Sequence, residues 1–212
     1  MNLTLRFFPT AQEGSCGYSN SSDALTFTTM DIPVRGHCFS IAELFGGNST
    51  RGFVNQTHNF GRSWSSRNGE DAGIRWKVEN SESYDPKANY SSILYHQNDG
   101  INLQDRDPED YSYRTVFLYG SDDCRDVDTS PADAFDTWFG LNCWSSDEGD
   151  CRDIYYGVGS FSMQAAPSNE ERERTCWTFA ENGVSGASGL YQPWKAVTGA
   201  LVSVSVAVWL TL

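Results

Sequence analysis

Apolar and polar residues alternate in short runs along most of this chain. Leu3, Leu5 and Phe7 alternate with Thr4 and Arg6, and Leu25, Phe27 and Thr29 alternate with Thr26 and Thr28. Ile74, Trp76 and Val78 alternate with Arg75 and Lys77. A period of two is that of a half-buried strand, and no long segment shows the 3.6-residue repeat of an amphipathic helix. The pattern predicts strands over 3–8, 24–30, 52–60, 73–78, 92–96, 111–119 and 138–144. The apolar stretch 34–45 continues the series, and 154–166 reads as one bent strand or two. The charged segment 167–174 is the one short helix expected. Polar stretches rich in Gly, Ser, Asn and Asp separate these runs, as turns do. The fold class expected is all-β, an antiparallel β-sandwich occupying residues 1–182.

The last thirty residues break this pattern. Small residues fill 183–189, a short polar spacer runs over 190–195, and 196–212 is apolar and uncharged. That order is the signature of a glycosylphosphatidylinositol attachment signal, with the anchor expected at Ser185, Ala187 or Ser188 and the tail removed. Two other readings of the tail stay open. The apolar run is near the lower length limit for a bilayer-spanning anchor, and 202–208 alternates Val with Ser and Ala as a strand would. The first nine residues lack the basic start and apolar core of a secretory signal, so that signal is expected to be missing from this sequence.

Composition sharpens the compartment. The chain has 212 residues, a net charge of −13, 39% hydrophobic and 14% aromatic residues. This is a folding composition rather than a disordered one, and its acidity argues against nucleic acid and anionic lipid as partners. Six cysteines, an even number, suit an oxidising environment. Five Asn-x-Ser/Thr sequons, at Asn2, Asn20, Asn48, Asn55 and Asn89, point the same way. The expected protein is extracellular, N-glycosylated and held at the cell surface by lipid.

Two stretches of the chain look alike. Leu5-Arg-Phe-Phe8, Cys16, Gly36-His-Cys38-Phe-Ser40 and the strand at 73–78 are echoed by 115–119, Cys124, Leu141-Asn-Cys143-Trp-Ser145 and 159–163. Two pseudo-repeated units, about 3–97 and 111–180, are therefore expected. Pairing within such units gives Cys16–Cys38 and Cys124–Cys143, leaving Cys151–Cys176, one of fifteen connectivities that six cysteines allow. The arrangement resembles the two-unit β-sandwiches of the γ-crystallin-like class over about residues 3–163. The chain as a whole resembles small secreted, Cys-containing fungal surface proteins that carry lipid-anchor tails. The crystallin-like resemblance implies the sandwich but not calcium binding, because the paired Asp/Asn and Ser-Ser signature of that class is missing.

Candidate chemistry is sparse. There is no Gly-x-Ser-x-Gly elbow, and His37, His58 and His96 are spread too far apart to mark a catalytic or copper site. No catalytic residue is assigned and no cofactor is required. The acidic run Asp122, Asp123, Asp126 and Asp128 offers hard oxygen ligands for Ca2+, against the plainer reading of a solvated acidic loop. Rings in polar surroundings can stack on sugar faces, and Trp64, Tyr84 and Tyr90 are the candidates. Trp76, Trp138, Trp144 and Trp177 lie in strand-like or Cys-adjacent contexts and are expected in the core. The function expected is a non-enzymatic surface or cell-wall glycoprotein binding cell-surface or cell-wall glycans. The alternatives are a hydrolase of cell-wall polysaccharide using an acidic pair and a purely structural coat protein.

Overall fold

Two antiparallel sheets carry nearly all the regular structure in a computed structural model of the chain. The structure describes residues 2–9, 16, 23–57, 72–98, 110–125, 137–167 and 176–183. The strands, in chain order, are β1 (Asn2–Phe8), β2 (Leu25–Thr29), β3 (His37–Ser40), β4 (Arg51–Asn55), β5 (Gly73–Glu79), β6 (Ser92–Asn98), β7 (Tyr111–Tyr119), β8 (Phe139–Cys143), β9 (Asp150–Asp153), β10 (Ser160–Ala165) and β11 (Ala180–Glu181). One sheet has the order β4-β5-β2-β1-β6-β9, and the other has the order β11-β8-β7-β10-β3. The all-β sandwich predicted from the alternation is the fold observed.

The alternation sets which face of each strand is buried. Leu3, Leu5 and Phe7 of β1, Leu25 and Phe27 of β2, and Ile93 and Tyr95 of β6 form one inner face. Val116 and Leu118 of β7, Leu141 of β8, and Phe161 and Met163 of β10 form the other. Phe161 is the hinge of the interior. Its ring centroid lies 4.9 Å from that of Phe27, 5.2 Å from that of Phe39 and 5.9 Å from that of Phe7. Each such aromatic pair adds roughly 0.5–1.5 kcal/mol beyond simple burial.

The sheets exchange strands. β3, from the first half of the chain, is the edge of the second sheet and pairs with β10; β9, from the second half, is the edge of the first sheet and pairs with β6. Read outward, β2-β1-β6-β9 and β8-β7-β10-β3 have the same form: the second, first and last long strand of a half, then a strand lent by the other half.

That exchange corrects the disulfide pairing. Three disulfides form, but they join Cys16 to Cys151, Cys38 to Cys124 and Cys143 to Cys176, not Cys16–Cys38, Cys124–Cys143 and Cys151–Cys176. Local pairing assumed that each half closes on itself. Instead Cys38 leaves with β3 and Cys151 leaves with β9, so each meets the cysteine that follows the first strand of the opposite half.

Three element assignments also change. The stretch 34–45 is not continuous strand: β3 gives way to the helix α1 (Ile41–Gly46), where the Ser40 hydroxyl accepts from Glu43 N at 3.4 Å. Ser40-x-x-Glu43 is a capping-box sequence, and that local signal outweighed the apolar run. The acidic segment 147–153 contains β9 rather than being all loop. In 154–166 only Ser160–Ala165 is strand. The expected helix at 167–174 lies, apart from Pro167, outside the described residues, as do the tail from 184 onward and the proposed anchor residues Ser185, Ala187 and Ser188.

Candidate functional site: an aromatic face on the second sheet

β7 builds the site by its own alternation. Ser112, Arg114, Val116 and Leu118 point inward and are buried, while Tyr111, Tyr113, Phe117 and Tyr119 are half-buried on the outer face. The neighbours of Phe117 are Gly140 on β8 and Ser162 on β10. Gly140 supplies the space. A Cβ there would lie 2.9 Å from the Trp177 ring and 3.0 Å from the Trp138 ring, so glycine lets both indoles lie down over the strand.

The three rings form a tight cluster. Phe117 and Trp138 centroids are 5.0 Å apart, Phe117 and Trp177 6.2 Å, and Trp138 and Trp177 6.0 Å. Each indole is anchored through its backbone. Trp177 N donates to Asn142 Oδ1 at 2.6 Å, and Trp177 O accepts from Asn142 N and Cys143 N, next to the Cys143–Cys176 disulfide. Trp138 N donates to Asn182 Oδ1 at 3.2 Å, and Asn182 N returns a bond to Trp138 O at 2.9 Å. A second ring pair, Tyr113 and Trp144, stands edge to face at 5.1 Å. It is four residues down β7 from Phe117, about 13 Å at strand rise. Between the clusters the exposed Gln164 lies opposite the buried Thr115, and Ser162 lies opposite Phe117.

The sequence had placed Trp138 and Trp177 in the core, and both are instead half-buried on this outer face. Trp144, only 4% exposed, and Trp76, packed against the core, keep the predicted interior role. The missed signal was Gly140 between two aromatic segments, since a glycine inside a strand pattern marks a close approach.

The ring candidates named from sequence fare differently. Trp64 lies outside the described residues. Tyr90 is 5% exposed and belongs to the hydrophobic core, its hydroxyl accepting from Asp85 N at 2.9 Å. Its face is covered by the half-buried Tyr84, stacked at 5.9 Å, so Tyr90 cannot serve as an open platform. Beside them a cleft of about 360 Å³ is lined in part by Phe8, Asp23, Ser83, Asp85 and Tyr90.

The remaining candidates were placed as follows. Asp122 and Asp123 are exposed, Asp123 pairs with Arg125 at 2.6 Å, and Asp126 and Asp128 lie outside the described residues. Among the described residues, no group of three or more His, Cys, Asp or Glu is placed to hold a metal ion. Asn2, Asn48, Asn55 and Asn89 are exposed sequon positions, and Asn20 lies outside the described residues. His37 and His96, on separate sheets, are both half-buried, and burial holds each imidazole below its ordinary value, Arg35 adding to the effect at His37. No family model, curated protein or solved structure matches the chain.

Proposed function

We propose that this is a non-enzymatic extracellular surface glycoprotein that binds glycans through the outer face of its second sheet. The observation that carries the reading is the Phe117–Trp138–Trp177 cluster, half-buried on the outer face of the sheet with Gly140 leaving room for both indoles. Aromatic rings with one apolar face and polar neighbours suit the C–H faces of sugars. Ser162, half-buried, and Gln164, exposed, bring the hydroxyl and amide groups that a polyol needs beside them. The half-buried Tyr113 ring further along β7 extends the surface beyond a single spot, which favours a linear polysaccharide over a lone monosaccharide. Three disulfides, the sequons and the anchor-like tail support residence outside the cell, attached by lipid, as in fungal surface proteins.

The test is affinity electrophoresis of the full chain through gels containing soluble β-glucan, mannan or chitin oligomers. Retardation by at least one glycan is expected, reduced roughly tenfold or more in Trp177→Ala and Trp138→Ala, as truncating a central anchor ring does. Equal retardation of the ring variants and the wild type would remove the second sheet from consideration.

A further inference from the structure

β4 is an edge strand, and its hydrogen-bond ladder fixes what it shows to solvent. Gln56 N donates to Ala72 O at 2.8 Å and Val78 N donates to Thr50 O at 2.9 Å. An antiparallel ladder alternates, so residues 50, 52, 54 and 56 turn their backbone groups toward β5. Arg51, Phe53 and Asn55 therefore turn their N–H and C=O groups away from it, to the side where, among the described residues, no strand pairs. Each of the other three sheet edges has a disulfide on or beside it: Cys151 on β9, Cys38 on β3 and Cys176 just before β11. β4 carries none.

An open edge of this kind is a template for another strand. β4 also presents Phe53, 43% exposed, on the outer face of its sheet. Two copies meeting antiparallel about Phe53 would satisfy the backbone groups of Arg51, Phe53 and Asn55 reciprocally. They would also set the two Phe53 rings side by side. The strand itself adds little charge repulsion, since Arg51 is its one ionised side chain.

The sequons stand where a block is needed. Asn48-Ser-Thr50 ends one residue before β4, and Asn55-Gln-Thr57 begins on its last residue. Both asparagines are exposed. The five residues of β4 span about 17 Å, and an N-linked glycan is bulky and strongly hydrated. We propose that glycans on Asn48 and Asn55 flank this edge and prevent two copies of the protein from joining β4 to β4. The inference rests on the extracellular reading above.

The experiment uses the full chain secreted from a glycosylating host, with glycopeptide mapping followed by light scattering across a wide concentration range. The glycosylated wild type is expected to stay monomeric. The double variant Asn48→Gln/Asn55→Gln is expected to double its scattering mass as concentration rises, whereas Asn2→Gln/Asn89→Gln stays monomeric. Adding Phe53→Pro to the first pair is expected to restore the monomer, because it removes an edge N–H without touching the β5 ladder. Far-UV circular dichroism checks that this variant keeps its sheets. Glycan at Asn48 and Asn55 with a monomeric double variant overturns this proposal alone. So does a dimer that survives Phe53→Pro with its sheets intact. Absence of glycan at every sequon overturns the extracellular reading and this proposal together.

Discussion

Replacing Arg114 with methionine keeps much of the side-chain volume and deletes its guanidinium. Arg114 is fully buried on the inner face of β7, where burial lowers its affinity for a proton. It donates to Gln97 Oε1 at 3.0 Å, to Asp31 O at 2.7 Å and to Met30 O at 2.6 Å. Gln97 passes the network on, its Nε2 donating to the Tyr95 hydroxyl at 2.7 Å, which in turn donates to Cys143 O at 2.7 Å. One buried arginine thus ties the end of β2 to β6, and through β6 to β8. Hydrogen bonds to a charged group contribute roughly 1.5–3 kcal/mol each, but removing a buried charge also recovers its desolvation cost. The Met30 and Asp31 carbonyls sit in residues with solvent access and can turn to water, whereas Gln97 Oε1 cannot. One stranded buried acceptor costs about 1–3 kcal/mol, so the expected loss is about 2 kcal/mol. For a domain of this size that is roughly a 4–8 °C fall in Tm. Urea unfolding with the disulfides intact is the assay, with an unchanged m-value expected. The double variant Arg114→Met/Gln97→Leu should lose less than the sum of the singles, because neither then strands the other. A loss below about 0.5 kcal/mol, or strict additivity, would refute the view that this network holds the two sheets in place.

Non-reducing peptide mapping should recover Cys16 linked to Cys151 and Cys38 linked to Cys124. The loops they close, 135 and 86 residues, are long enough that a chain-entropy model gives each about 5 kcal/mol, against about 4 kcal/mol for the 33-residue Cys143–Cys176 loop. Loss of Cys16–Cys151 should accordingly lower the urea midpoint more than loss of Cys143–Cys176, and the reverse order would contradict the chain-entropy ranking. Gly140→Val should push both indoles off β8, costing about 1–3 kcal/mol by overpacking and abolishing the glycan retardation with them. Unchanged tryptophan fluorescence and retardation in that variant would contradict the role given to Gly140. His37 and His96 have folded-state values below 6.5, so their stabilising contribution is full above that pH and is lost as pH falls below it. Asp150 works in the opposite sense, since burial raises its carboxyl above 3.8 and acidification relieves that penalty. Urea midpoints should fall between about pH 7.5 and about pH 5.5, and the double variant His37→Gln/His96→Gln should flatten the fall; an unaltered slope would count against it.

The longer strands were legible in local sequence, because side chains on a strand alternate and burial of one face enforces a period of two. Leu3, Leu5 and Phe7, or Ile74 and Val78, announce their inward faces without help from the rest of the chain. Six cysteines and the aromatic, turn-rich composition likewise pointed to a disulfide-bonded sandwich. What the sequence could not carry was which sheet a short strand joins. β3 and β9 each span only four residues, and β9 has no alternating apolar pattern to advertise it. Their exchange follows from sheet edges seeking partners and from the cysteines each strand brings, which is a property of the assembled layers. The candidate site was hidden for the same reason. Trp138 and Trp177 lie on either side of Cys143 in sequence and looked like core, but whether a ring next to a strand turns inward or outward depends on register. Gly140 opposite Phe117 decides it, by leaving room on the outer face that no neighbour in the chain could foretell.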